Sequence, residues 1–249
     1  MAPPSRALID TLRGPVQVSG DFGRFSADRP LIFVIRGALA SDEQMTPLKE
    51  LLPDCDVAFA DLPGMAGSPF WASNSVEAFA GAMDEATDRF THTHKVLLGV
   101  STGAVVAFTM ARGHAVLALD PPLAPTVCGA LIHAYRSRWA SLSLETRRWL
   151  FEILGVDETA TSPRDYRWTL ERCAKPGVVL SGQRRPHEPL SASLPGLMTD
   201  ADIEAVAQHP ALRSVVVAGA GHNLPNECPA LIVSTAKLLA LPDWQQRLS

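Results

Sequence analysis

Charge is scarce in this chain. Asp, Glu, Lys and Arg make up 19% of its 249 residues against 47% hydrophobic ones, and the formal net charge is −4. The basic residues are scattered rather than grouped, which excludes a nucleic-acid groove and a membrane-binding stripe. No apolar run approaches the roughly eighteen uncharged residues of a membrane helix. The opening MAPPSRALIDTLRG has no apolar core of the signal-peptide kind, so a cytoplasmic protein is expected. Cys55, Cys128, Cys173 and Cys228 are far apart and form no C-x-x-C pair. That spacing argues against a zinc site or a redox motif and favours buried free thiols in a reducing compartment. Internal repeats and low-complexity tracts are also missing. What survives these exclusions is a soluble protein facing a small molecule, with no metal or cofactor implied and its oligomeric state open.

The chain does have short apolar runs in regular alternation with helical patterns. Leu31 to Ile35, Asp56 to Ala60, Val96 to Leu98, Ala115 to Leu119, Gly177 to Leu180 and Ser214 to Ala218 read as strands. Such continuous runs belong to parallel strands covered on both faces. Between them, Ser41-Asp42 can cap a helix to about Leu52. From Ser75, Val76, Phe79, Ala80, Met83, Ala86 and Phe90 recur at steps of three and four. Helices are also expected near Asp200 to Gln208 and from Pro229 to Leu239. The alternation pauses between Asp120 and Cys173, where helices are predicted around Val127 to Arg138, over Leu144 to Leu154 with Gly155 as the stop, and from Ser162-Pro163. The expected organisation is one α/β core, residues 1–120 and 175–249, with 1–29 as a thin edge segment and 121–174 as a helical cap. His92 and His94, in a polar link before a strand, read as solvated.

Chemistry concentrates where strands end. Gly99-Val100-Ser101-Thr102-Gly103 lies between a strand and a small-residue helix, a G-x-S-x-G turn that strains the serine backbone and exposes its hydroxyl above the sheet edge. A serine needs a base within hydrogen-bond reach and amides where an oxyanion would form. His222 is the candidate base, because Gly219 and Gly221 free its loop to turn the imidazole inward after the last strand. Asp120 and Arg36-Gly37-Ala38 also follow strands, at the crevice where ligands of such sheets bind.

The succession of the Gly37 loop, Asp61-Leu62-Pro63-Gly64-Met65-Ala66-Gly67-Ser68, the Ser101 elbow, the strand to Asp120, a helical cap and Gly221-His222 resembles the α/β-hydrolase superfamily over roughly residues 30–240. The resemblance implies an oxyanion hole of the Ala38 and Thr102 backbone N–H groups. It also exposes two departures. Arg36 precedes Gly37 where the family usually has histidine, and either anchors the loop or pairs with an acidic substrate group. The turn that usually carries the triad acid reads Gly182-Gln183-Arg184-Arg185, with Arg185 at the carboxylate position. A cation there would oppose the imidazolium. Asp120, after the strand that follows the elbow strand, is the first candidate for the acid, and Glu188 is the alternative. Asp61 reads as a structural loop carboxylate. Phe70, Trp71, Trp139 and Trp149 are the candidate substrate-facing aromatics.

The expected function is a serine hydrolase acting on a small, apolar carboxylic ester, thioester or lactone through an acyl-serine. A hydrolase-like binding or regulatory protein with an incomplete triad is the alternative, resting on Arg185 and Arg36.

Overall fold

A computed structural model describes residues 5–40, 48, 50–184 and 194–244. Eight strands form one sheet: β1 (Ser5–Ile9), β2 (Val16–Gly20), β3 (Leu31–Ile35), β4 (Asp56–Ala60), β5 (Lys95–Val100), β6 (Ala115–Leu119), β7 (Gly177–Gly182) and β8 (Leu212–Val217). Their order across the sheet is β1-β2-β4-β3-β5-β6-β7-β8. β1 and β2 form an antiparallel hairpin that joins β4 antiparallel, and every other pairing is parallel. The helices are α1 (Val76–Thr87), α2 (Thr102–Thr109), α3 (Gly129–Arg136), α4 (Leu144–Trp149), α5 (Trp168–Arg172), α6 (Asp200–Gln208), α7 (Leu224–Glu227) and α8 (Pro229–Leu239). None among the described residues is long and apolar enough to cross a membrane. This is the α/β-hydrolase arrangement that the order of motifs implies.

The continuous apolar runs have a simple cause. Successive strand residues point to opposite faces, so a strand covered on both sides must be apolar at every position. Phe33, Ile35, Leu97, Val116 and Val179 meet α1, α2 and the helices between β6 and β7 on one face. Ile32, Val34, Leu98, Leu117 and Leu180 meet α8 and Leu48 and Leu52 on the other. The predicted Ser41-Asp42 cap lies outside the described residues.

Three expectations are corrected. The N-terminal segment, read as a thin edge, is a hairpin of two strands, and the sequence hid β1 because an edge strand needs only backbone pairing and its side chains are mostly exposed. His92 is buried, with Nε2 2.9 Å from Asp56 Oδ2, and Arg29 Nη1 lies 3.2 Å from Asp56 Oδ1. Its neighbour His94 is half-buried, its Nε2 2.9 Å from the Leu239 carbonyl oxygen. A polar link can thus be buried when its side chains find carboxylates and carbonyls.

The third correction concerns Ser162-Pro163, which opens no helix. A π-helical turn, Leu150–Leu154, follows α4 and ends at Gly155, whose φ is 68°. The chain then doubles back through a Val156–Thr161 bridge, and the Ser162 N–H donates to the Gly155 carbonyl at 2.7 Å. Tyr166 pins the return, its N–H donating to Leu123 at 2.7 Å and its hydroxyl to Ile153. Helix resumes only at Trp168.

At the elbow, backbone packs against backbone with no room for a side chain. A Cβ on Gly103 would lie 2.2 Å from the Ile35 carbonyl oxygen, and one on Gly99 2.3 Å from Ala104 Cα. Those contacts let β5 run directly into α2, with Ser101 at φ 53° and ψ −123° between them. Such a conformation costs a non-glycine residue about 1–3 kcal/mol and persists because its surroundings impose it.

Gly103→Ala is expected to lower the unfolding free energy by at least about 1–3 kcal/mol, the usual cost of overpacking, because the clash is with backbone. Urea titration should show a lower midpoint with the slope preserved. Gly129→Ala, where a Cβ meets nothing within 4 Å, is the control and should stay within about 0.5 kcal/mol of the wild type.

Candidate active site

Five strands deliver the site at their C-terminal ends. β5 leads into Ser101, whose N–H donates to the Leu119 carbonyl of β6 at 2.8 Å. β6 then leads into Asp120, whose own N–H donates to Leu180 of β7 at 2.7 Å. Lateral pairing thus continues to Ser101 and Asp120, fixing their separation along the sheet edge. Asp120 also adopts a positive φ of 45°, which turns its side chain away from the continuing strand direction.

The Asp120 carboxylate is fully buried and saturated with donors. Oδ1 accepts from the Gly182 N–H at 3.2 Å, Oδ2 from the Leu197 N–H at 2.9 Å, and Oδ2 also lies 2.6 Å from His222 Nδ1. The contact suits the tautomer with an N–H on Nδ1 donating to the carboxylate, which leaves Nε2 as the acceptor. His222 reaches this position because its loop is threaded against that of β7. A Cβ on Gly182 would lie 2.1 Å from the Gly221 carbonyl oxygen, and the His222 N–H donates to Leu194 at 2.7 Å. The Gly221 N–H is held by Glu227 of α7.

Ser101, His222, Gly37 and Ala38 line one cavity of about 300 Å³. The Ala38 amide follows the β3 end, and Thr102 is the first residue of α2. Gly37 is needed for this proximity, since a Cβ there would stand 2.9 Å from the Val100 carbonyl oxygen and 3.0 Å from Ser101 Cβ. Glu188, the alternative acid, and Arg185 lie outside the described residues.

The substrate-facing candidates are placed differently from expectation. Arg36 is buried away from the cavity, with Nη1 3.0 Å from Asp61 Oδ1, Nη2 3.4 Å from Ser19 Oγ, and its guanidinium 5.2 Å above the Phe59 ring. It anchors the loop, as one of its two readings held, and Asp61 is its structural carboxylate. Phe70, Trp71, Trp139 and Trp149 do not line the cavity. Trp149 is wholly buried and stacks on Phe79 at 6.2 Å, while Trp71 meets Phe79 edge-on and donates to the Pro15 carbonyl at 3.3 Å. Trp139 is buried under Arg147, and Phe70 covers the Gly64 turn. Large aromatic surfaces go where they exclude most water, which here is between the helices and the sheet.

The residues of the segment between β6 and β7 that do line the cavity are Leu131, Ala134, Tyr135 and Arg138. Their spacing of three, four and seven from Leu131 was visible in the sequence, but only packing shows which stripe of α3 turns inward. Among the described residues, no group of three or more His, Cys, Asp or Glu side chains is placed to hold a metal ion.

A family model described as the alpha/beta hydrolase family matches residues 26–235. Among solved structures, E-2-(acetamidomethylene)succinate hydrolase is similar with a TM-score of 0.68 at 16% identity, over 94% of this chain and 98% of that one. A thermophilic esterase from Thermogutta terrifontis gives 0.63 at 16% identity, over 99% of each chain. The thioesterase domain from the curacin biosynthetic pathway gives 0.61 at 18% identity, over 93% and 98%. At such identities the likeness is one of fold. No curated protein matches the sequence.

Because Arg36 and Asp61 are both buried, Asp61→Ala is expected to destabilise the protein by about 3–5 kcal/mol, the cost of stripping one partner from a buried pair. The Arg36→Met, Asp61→Leu double variant should lose less. Chemical denaturation of the variants checks this, and an equal or greater loss in the double variant would show that burial of an uncompensated charge is not the cause.

Proposed function

The chain belongs to the α/β-hydrolase family, and from that premise we propose that it is a serine hydrolase cleaving a small carboxylic ester, thioester or lactone through an acyl-serine. The observation that carries this reading is the 2.6 Å contact between His222 Nδ1 and Asp120 Oδ2, in a histidine that shares its cavity with Ser101. His222 Nε2 accepts the Ser101 proton as Oγ attacks the substrate carbonyl carbon. The Ala38 and Thr102 N–H groups receive the negative charge on the carbonyl oxygen. Asp120 holds the imidazole in the required tautomer and stabilises the imidazolium. Collapse of the tetrahedral intermediate breaks the bond to the alcohol or thiol, which leaves with the proton from His222. A water molecule then repeats the sequence on the acyl-serine, giving the carboxylic acid and free Ser101.

Residues 121–174 act as the cap over this crevice. The four free cysteines fit a reducing compartment, and we take the cytoplasm as the site of action. The alternative, a binding or regulatory protein that has lost its triad, drew on Arg36 and Arg185. Pairing of Arg36 with Asp61 and of His222 with Asp120 gives both positions an explanation compatible with catalysis.

A fluorophosphonate probe at neutral pH is expected to label Ser101, with labelling abolished in Ser101→Ala and His222→Ala. Absence of labelling in a folded sample would overturn the hydrolase reading and favour the binding protein. Asp120→Asn should lower kcat on an activated ester by about 10³–10⁴-fold, the cost of losing the correct tautomer. Full activity in Asp120→Asn, with Glu188→Gln impaired, would move the acid to Glu188.

A further inference from the structure

The part of the cavity lining that comes from the segment between β6 and β7 carries chemistry that ester cleavage does not use. Leu131, Ala134, Tyr135 and Arg138 form one stripe along α3 and the turn beyond it, and polarity rises along the stripe. Leu131 is buried, Tyr135 half-buried and Arg138 exposed. Seven residues of helix span about 10 Å, so the cation stands some two turns from the apolar end. Its backbone is fixed: the Arg138 N–H donates to the Tyr135 carbonyl at 3.2 Å, and its carbonyl accepts from Ser141 N and Oγ at 2.9 and 2.7 Å.

The guanidinium itself is left over. Between β6 and β7, Arg136 donates to the Asp157 carbonyl, Arg147 to Trp139, Arg164 to Phe151 and Glu152, and Arg148 to Trp71. Arg167 pairs with Asp202 at 2.8 Å, and Arg172 stacks on Trp168 at 4.6 Å. Among the described residues, Arg138 alone of this set has no hydrogen bond, ion pair or ring under its guanidinium, and it alone lines the cavity. Beside it, burial pushes the Tyr135 hydroxyl up to about 12 against the opposing pull of Arg138, so the phenol stays protonated and able to donate.

We propose that the substrate carries a carboxylate at the end remote from the reacting carbonyl, received by Arg138 with the Tyr135 hydroxyl beside it. A guanidinium fork matches the two oxygens of a carboxylate, and the phenol supplies a further donor. Leu131 and Ala134, the apolar residues of the same stripe that line the cavity, take the chain that joins the two ends. The substrate class is therefore a short amphipathic ester or thioester, either a half-ester of a dicarboxylic acid or an ester whose alcohol part bears the carboxylate. This inference rests on the serine hydrolase reading above and narrows its substrate.

Two pairs of esters test it. 4-Nitrophenyl hydrogen adipate against 4-nitrophenyl hexanoate places the charge on the acyl side. 4-Hexanoyloxybenzoate against its methyl ester places it on the alcohol side. In each case the background hydrolysis with Ser101→Ala is subtracted. The ratio of kcat/KM for the charged over the neutral member is expected to fall about 10–100-fold in Arg138→Ala for at least one pair, the size of a lost charged hydrogen-bonding contact. Arg138→Lys should recover part of it, and Arg172→Ala should leave the ratio as it was. The pair that responds assigns the side of the ester. An unchanged ratio in Arg138→Ala for both pairs overturns the proposal, and if neutral esters are still cleaved and Ser101 is still labelled, the hydrolase reading stands without it. Calorimetric binding of the same esters to Ser101→Ala, with and without Arg138→Ala, asks the question without turnover. Preference for the charged ester that depends on Arg138 supports the subsite even if hydrolysis fails, and no such preference removes it.

Discussion

One buried carboxylate holds the site together. Asp120 is fully buried, and removing an ionised carboxylate from water costs several kcal/mol unless hydrogen bonds replace the lost hydration. Here the replacement comes from three places in the chain: Gly182 at the end of β7, Leu197 in the following loop and His222 after β8. The demand of one side chain for donors therefore draws three separate segments to a common point. Ser101 reaches that point from β5 through the continuing ladder to Leu119. The arrangement we propose for acyl transfer is also the one that satisfies the buried charge.

The loop glycines make this approach possible. Gly182, Gly196 and Gly221 meet backbone to backbone, at distances where any Cβ would lie about 2.1 Å from a carbonyl oxygen at Gly182 or Gly196. The elbow has the same character around Gly99 and Gly103. Both regions carry little side-chain bulk, so the polar groups of the site are positioned by backbone contact rather than by flexible side chains. Arg36 and Asp61 do comparable work beneath the β3 loop, where a buried ion pair sets the run of chain that leads to Gly37 and Ala38.

The segment between β6 and β7 divides its residues between two tasks. Its tryptophans and most of its arginines seat the helices: Trp149 on Phe79, Arg164 on the carbonyls of the π-helical turn, Arg167 on Asp202. One stripe along α3 and the turn beyond it is left facing the cavity, apolar at one end and cationic at the other. This stripe, rather than the aromatics, contributes to the cavity lining.

The central strands were legible because burial on both faces leaves a one-dimensional signature, an unbroken apolar run. The elbow was legible because three residues in local sequence impose its turn. β1 was not, since an edge strand held by backbone pairing needs no apolar pattern, and neither was the break at Ser162-Pro163, where a long-range return onto Gly155 overrides a local helix signal. His92 was misread for the same reason, its partner Asp56 being 36 residues away. By itself the sequence determined the fold, the place of Ser101 and the candidacy of His222, because these depend on local pattern and strand order. Only the tertiary structure decided that Asp120 meets His222 across 102 residues, that Arg36 turns inward to Asp61, and that Arg138 rather than the tryptophans borders the cavity. Partners in a buried polar network are chosen by three-dimensional proximity and the need to satisfy every donor and acceptor, and neither leaves a mark on the neighbouring residues in the chain.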